Sequence, residues 1–135
     1  MRFEKFTMKA QEAIQESQGI AEKYGHQQIE PEHILMGLTL QQDGIVTPIL
    51  KKLEVDPAIV LSQLEELLVR IPKVSGGGMS QVYLSPRSKK VFDQSFQEAE
   101  RLKDEYVSTE HIFIAIADAK GGESSKLLSS LGVTK

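Results

Sequence analysis

Two Glu-His pairs, Glu32-His33 and Glu110-His111, stand 78 residues apart, and an isoleucine follows each. Carboxylate and imidazole are the ligands of divalent-metal sites and the partners of acid–base chemistry. Neighbouring residues on a helix, however, point in directions about 100° apart. Neither pair can therefore close on one ion alone; the two copies would have to meet. The competing reading gives each glutamate to the positive end of a helix and each histidine to the packed edge of a lobe. A hydroxyl pair, Thr7 and Ser85, recurs at the same offset. Thr7, Glu32, Ser85 and Glu110 thus make two hydroxyl-plus-carboxylate sets that could accept a cationic group. A guanidinium matches a carboxylate in bidentate geometry. The same four residues could equally be helix caps and nothing more, and the residues alone leave both readings open.

Other chemistry finds no residues to rest on. Gly76-Gly77-Gly78 is followed by Met79-Ser80, without the lysine of a phosphate loop. There is no H-E-x-x-H and no cysteine. The chain is expected to be non-catalytic, with no cofactor and no metal, and to bind neither ATP nor zinc. Its formal net charge of −3 and pI near 5.6 argue against nucleic acid as the main partner. No window approaches the apolar length of a membrane span, and Met1-Arg2-Phe3-Glu4-Lys5 lacks the apolar run of a signal peptide. A cytoplasmic chain with no membrane partner is expected.

The elements that position these residues come from an internal repeat. Phe6–Pro57 superposes on Leu84–Lys135 without a gap, and ten of the 52 pairs are identical. Ser17/Ser95, Ala21/Ala99, Leu50/Leu128 and Val55/Val133 are among them. Ungapped register implies two copies of one supersecondary unit with a seam between them. The expected boundaries are repeat one over 1–71, a glycine-bearing linker over 72–83 and repeat two over 84–135. Thr7 and Ser85 read as N-caps, with Pro86 at a first helical position. The first helix runs to about Tyr24, with Ala10, Ala13, Ile14, Ser17 and Ala21 on its inner stripe. A second helix starts at Pro31 and Thr109 and ends at Asp43-Gly44 and Gly121-Gly122, where glycine can turn left-handed. A third covers about Val46–Leu53 and Ser124–Leu131. Asp56-Pro57 opens a fourth that Pro72 ends. No strand alternation is visible. The expected fold is all-α, two pseudo-twofold-related repeats of a four-helix unit. The counterpart of Pro57 is Lys135, so the last helix of the second repeat is expected to be missing, leaving Leu127, Leu128 and Leu131 exposed.

The repeats differ in one suggestive way. Phe96 replaces Gln18 and Tyr106 replaces Gln28. Phe3, Phe6, Val82, Tyr83 and Leu84 add apolar surface before the two first helices. Such an excess either compensates a packing change or lines a binding groove. A groove built from Phe3, Phe6, Tyr83, Leu84 and Phe96 is the expectation.

The segments Glu30-Pro31-Glu32-His33-Ile34-Leu35 and Tyr106-Val107-Ser108-Thr109-Glu110-His111-Ile112 resemble the two signature segments of the Clp N-terminal domain, the amino-terminal module of Hsp100 ATPases. Met1–Thr7, Ile71-Pro72-Lys73-Val74 and Tyr83-Leu84-Ser85-Pro86-Arg87 look most like its ClpB-type disaggregase branch. The resemblance covers essentially the whole chain. It implies a non-enzymatic module that engages unfolded or aggregated polypeptide for an ATPase ring not present in this chain, hexameric through that ring. In protease-linked relatives it implies adaptor docking, and phosphoarginine pockets at the positions of Thr7, Glu32, Ser85 and Glu110.

Overall fold

A computed structural model describes residues 3–41, 43–71, 83–119 and 122–133. The Phe3 side chain and the linker Pro72–Val82 lie outside the described residues. Repeat one supplies α1 (Met8–Lys23), α2 (Pro31–Leu40), α3 (Val46–Lys52) and α4 (Pro57–Arg70). Repeat two supplies α5 (Pro86–Arg101), α6 (Thr109–Asp118) and α7 (Glu123–Ser130). Within each repeat the first two helices pack together, α1 on α2 and α5 on α6. The small residues of the inner stripes permit this: Ala10, Ala13, Ser17 and Ala21 are fully buried. On α2, a Cβ at Gly37 would lie 3.0 Å from the Ala13 carbonyl, so the two backbones approach closely there.

The repeats then exchange contacts. α6 packs on α1, α2 and α3, and α7 packs on α2 and α4. This exchange overturns the expected exposure of Leu127 and Leu128: both are buried, and Leu131 is half-buried. The reason is that α4 of repeat one lies against α7 of repeat two. Two short parallel pairings, absent from the all-helical expectation, reinforce the exchange. β1 (Gln28–Ile29) pairs with β2 (Tyr83–Leu84), and Phe6 forms an isolated bridge with Val107. Leu84 is the repeat counterpart of Phe6, and Val107 of Ile29, so the two junctions are pseudo-symmetric.

Second helices end three residues earlier than expected, at Leu40 and Asp118. Gln41 and Ala119 turn extended there, and Gly44 and Gly122 do not take left-handed conformations. Left-handed residues fall instead at Gly25 and Lys103, after the first helices, and at Glu54 and Gly132, after the third. Each repeat thus has one glycine and one non-glycine at equivalent turns. A side chain in this region costs about 1–2 kcal/mol, partly offset by the chain entropy that glycine loses. Lys103→Gly and Glu54→Gly are each expected to raise stability by about 0.5–1 kcal/mol. Urea midpoints check this, and an unchanged or lowered midpoint refutes it.

Candidate functional site at the seams between the repeats

Each junction brings the N-cap of one repeat to the start of the second helix of the other. At the first, the Thr7 N–H donates to the Val107 carbonyl at 2.9 Å, and Thr7 Oγ1 accepts from the Ala10 N–H at 3.2 Å. At the second, the Ser85 N–H donates to the Ile29 carbonyl, and Ser85 Oγ accepts from the Ser88 N–H at 3.1 Å. The capping roles of Thr7 and Ser85 are thereby in place. Replacing either with alanine should cost about 0.5–2 kcal/mol. Ser85 is buried and its neighbour Ser88 donates to the Ile29 carbonyl at 2.6 Å, so Ser85→Ala should cost more than Thr7→Ala in thermal unfolding.

The histidines finish the caps. His33 Nδ1 accepts from the Glu30 N–H at 2.8 Å, and His111 Nδ1 accepts from the Ser108 N–H at 2.8 Å. With Nδ1 accepting, Nε2 carries the proton. It meets His26 Nδ1 at 2.8 Å in repeat one and Asp104 Oδ2 at 2.9 Å in repeat two. His33 and His111 are both buried. Burial, and then the neighbouring His26, lower the His33 pKa to about 4. Among the described residues no three ligand side chains gather at metal-site spacing.

Glu32, one of the carboxylates that could accept a cationic group, is buried. Its side chain is 3% exposed, with Oε2 accepting from Ser124 Oγ at 2.8 Å and Oε1 lying 3.4 Å from Arg87 Nη2. The same guanidinium reaches Glu30 at 3.1 Å. Burial raises the Glu32 pKa, opposed by the Ser124 hydrogen bond and by Arg87. The chain's own guanidinium therefore already occupies the carboxylate expected to receive an external one. Glu110 is exposed and has lost each of those partners: the counterpart of Ser124 is Val46, of Arg87 is Lys9, and of Glu30 is Ser108. Lys9 lies 4.0 Å from Glu12 instead. The two hydroxyl-plus-carboxylate sets are thus one closed and one open. Arg87, Ser124 and His26 were not singled out from sequence. Their signal is positional, since each differs in type from its repeat counterpart.

The expected apolar groove is divided. Phe6 is buried, with its ring 5.6 Å from Phe92 and 5.3 Å from Phe96 in edge-on geometry. It is core, not groove, because it plugs the first junction against α5. Phe96 is half-buried on top of it. Tyr106 precedes Val107, the residue bridged to Phe6, and is exposed. Tyr83, exposed, and Leu84, half-buried, belong to the second junction. Both glutamine-to-aromatic replacements therefore flank one junction.

An all-α pair of repeats, stitched at two seams and opened at each second helix by a Glu-His pair, is the architecture of a duplicated helical module. The chain belongs to the Clp repeat N-terminal domain family, whose model matches residues 5–131. Its relatives include chaperone protein ClpB of Bdellovibrio bacteriovorus, 43% identical over 118 residues, and ClpB of Clostridium tetani, 34% identical over 137. Those matches cover 87% and 100% of this chain but only 14% and 16% of the relatives, so the chain spans about one seventh of their length. The fold matches the Hsp104 N-terminal domain from Candida albicans with a TM-score of 0.83 at 19% identity, covering 96% of this chain and 83% of that one. It also matches the ClpV N-domain in complex with a VipB peptide, with a TM-score of 0.72 at 16% identity, over 96% and 80% of the two chains.

Proposed function

We propose that this chain is the substrate-binding N-terminal domain of a ClpB-like disaggregase. It captures exposed apolar segments of unfolded or aggregated polypeptide in the cytoplasm and presents them to a hexameric ATPase ring carried by other modules. The domain itself is non-catalytic in this reading, with no nucleotide, nucleic-acid or membrane partner. The observation that carries it is the convergence of Phe96 and Tyr106, each a glutamine in the other repeat, on the junction plugged by Phe6. The ClpV N-domain complex with a peptide supports a polypeptide ligand for this fold. Capture by a shallow aromatic surface is weak, because ordering a flexible segment offsets most of the burial gain.

An amide NMR titration with an unfolded model substrate tests the reading. Shifts are expected at Phe96, Tyr106, Tyr83 and Leu84. Phe96→Gln with Tyr106→Gln, which restores the repeat-one residues, should weaken binding roughly tenfold, since one buried aromatic contributes about 1.5–3 kcal/mol. Shifts confined to other faces would refute it.

A second reading, docking of a guanidinium or an adaptor, has one observation in its favour: Glu110 is the open carboxylate. Under it, Glu110→Gln weakens binding of guanidinium-bearing peptides while Glu32→Gln does not. Unchanged affinity in Glu110→Gln leaves that carboxylate no ligand role.

A further inference from the structure

A cavity of about 450 Å³ opens between α5 and α6 and reaches down to three core residues, Val91, Ala115 and Ile116. Its volume falls in the range of small-ligand sites. Comparison of the two repeats accounts for it. In repeat one the counterparts of Ala115 and Val91 are Gly37 and Ala13, where the two backbones approach closely. The counterpart of Ala119, which lines the cavity, is Gln41. Gln41 reaches from the end of α2 back to α1, and its Nε2 donates to the Lys9 carbonyl at 2.9 Å. A Cβ at Gly44 would meet the Gln41 side chain at 2.8 Å, whereas one at Gly122 would meet only the Ala119 carbonyl at 3.6 Å. A broader depression of about 780 Å³ runs along α1, but it is bounded by Gln41 and does not reach Ala13, Gly37 or Leu38. Repeat one thus carries a plug, and repeat two has the space without it.

The plug defines the chemistry of an occupant. It is a primary carboxamide on a short apolar stem, donating to the carbonyl of a first-helix residue. In repeat two that carbonyl belongs to Arg87, the counterpart of Lys9. The charges beside the cavity define what should flank the amide. Lys90 lines the cavity where repeat one has Glu12. The Arg87 side chain is committed to Glu30 and Glu32. Lys90 makes no ion pair among the described residues, not even with Asp118, which lines the same cavity. An unpaired cation beside an apolar cavity favours a carboxylate on the ligand.

We propose that this cavity binds a polypeptide segment in which a glutamine is followed closely by an acidic residue, the pattern of Gln41-Gln42-Asp43 itself. The glutamine takes the place that Gln41 takes in repeat one, and the carboxylate meets Lys90. Neither Phe96 nor Tyr106 lines the cavity, so the site stands apart from the substrate surface proposed above.

The probe is the acetylated and amidated peptide Leu-Gln-Ala-Asp, titrated into the isotope-labelled chain. Amide shifts are expected at Val91, Ala115 and Ala119, with a Kd of about 1 mM, since a short flexible peptide loses much of its gain to ordering. Leucine in place of the probe's glutamine, or lysine in place of its aspartate, should weaken binding about tenfold. Ala119→Gln supplies the plug in place, and should abolish the shifts while raising Tm. Lys90→Glu, the repeat-one residue, should weaken the aspartate probe and strengthen the lysine one with little change in Tm. No shifts at these residues at millimolar probe overturn the site. A leucine probe that binds as well as the glutamine one overturns the carboxamide. Undiminished binding to Ala119→Gln overturns the location. Loss of the probe from the Phe96→Gln, Tyr106→Gln double variant would merge the site with the aromatic surface and overturn its independence.

Discussion

Phe6→Ala is expected to cost about 3–5 kcal/mol, the range for truncating a buried phenylalanine. The residue looks like a groove aromatic in sequence, yet it is 2% exposed and stacked edge-on against Phe92 and Phe96. Edge-to-face pairs add about 0.5–1.5 kcal/mol beyond their burial. The loss also removes the side chain beside the Phe6–Val107 bridge, so both repeats should feel it. Leu84→Ala, at the half-buried counterpart, should cost less than about 2 kcal/mol. Guanidinium unfolding of the two variants measures the contrast. A loss under about 1 kcal/mol for Phe6→Ala, with weakened peptide binding, would return Phe6 to the groove.

Acid should destabilise the fold through His33. Its ring accepts the Glu30 N–H at Nδ1, so adding a proton there sets donor against donor and breaks the cap of α2. In the unfolded chain the imidazole protonates near the ordinary histidine value of 6.5; in the fold it waits until about 4. Between these values the unfolded state holds the extra proton. The stabilising contribution is therefore complete above about pH 6.5 and is lost as pH falls toward 4, at up to about 1.4 kcal/mol per unit. Glu32 works with the opposite sign: its pKa is raised, so its contribution is lost as pH rises through that pKa. A substitution separates the two. His26→Asp gives His33 the carboxylate partner that Asp104 gives His111, which favours the charged ring. The variant should lose less stability than the parent between pH 7 and pH 5 in urea titrations, with Glu32 unaltered. An identical slope in both would remove His33 as the cause.

Much of the architecture was legible because the repeat gave each element twice. The Thr7 and Ser85 caps, the starts at Pro31, Thr109 and Pro57, and the inner stripes carried local signals that tertiary packing did not override. What the sequence could not convey was exchange between the repeats. Phe6 and Leu84 look alike as apolar residues ahead of a first helix, and only the depth of the seam separates core from surface. Glu32 and Glu110 each open the same Glu-His-Ile triplet. Their different fates depend on Arg87 and Ser124, which lie 55 and 92 positions from Glu32. The ends of α2 and α6 were misplaced because Gly44 and Gly122 suggested a left-handed stop, whereas the chain leaves each helix through extended residues.

The reciprocal seams also set an order of events during synthesis. Phe6 cannot be sheltered by Phe92, Phe96 and Val107 until roughly a hundred further residues have been made, which at 5–20 residues per second takes about 5–20 s. Through that interval the nascent amino-terminal half carries a bare aromatic ring and an unmatched backbone edge, with α1 lacking the α6 surface it packs against. Pairings so distant along the chain also slow the closing step of folding. A ribosome stalled just before residue 107 should therefore hold a protease-sensitive α1, and one stalled well past residue 133, with the seam clear of the exit tunnel, a resistant one.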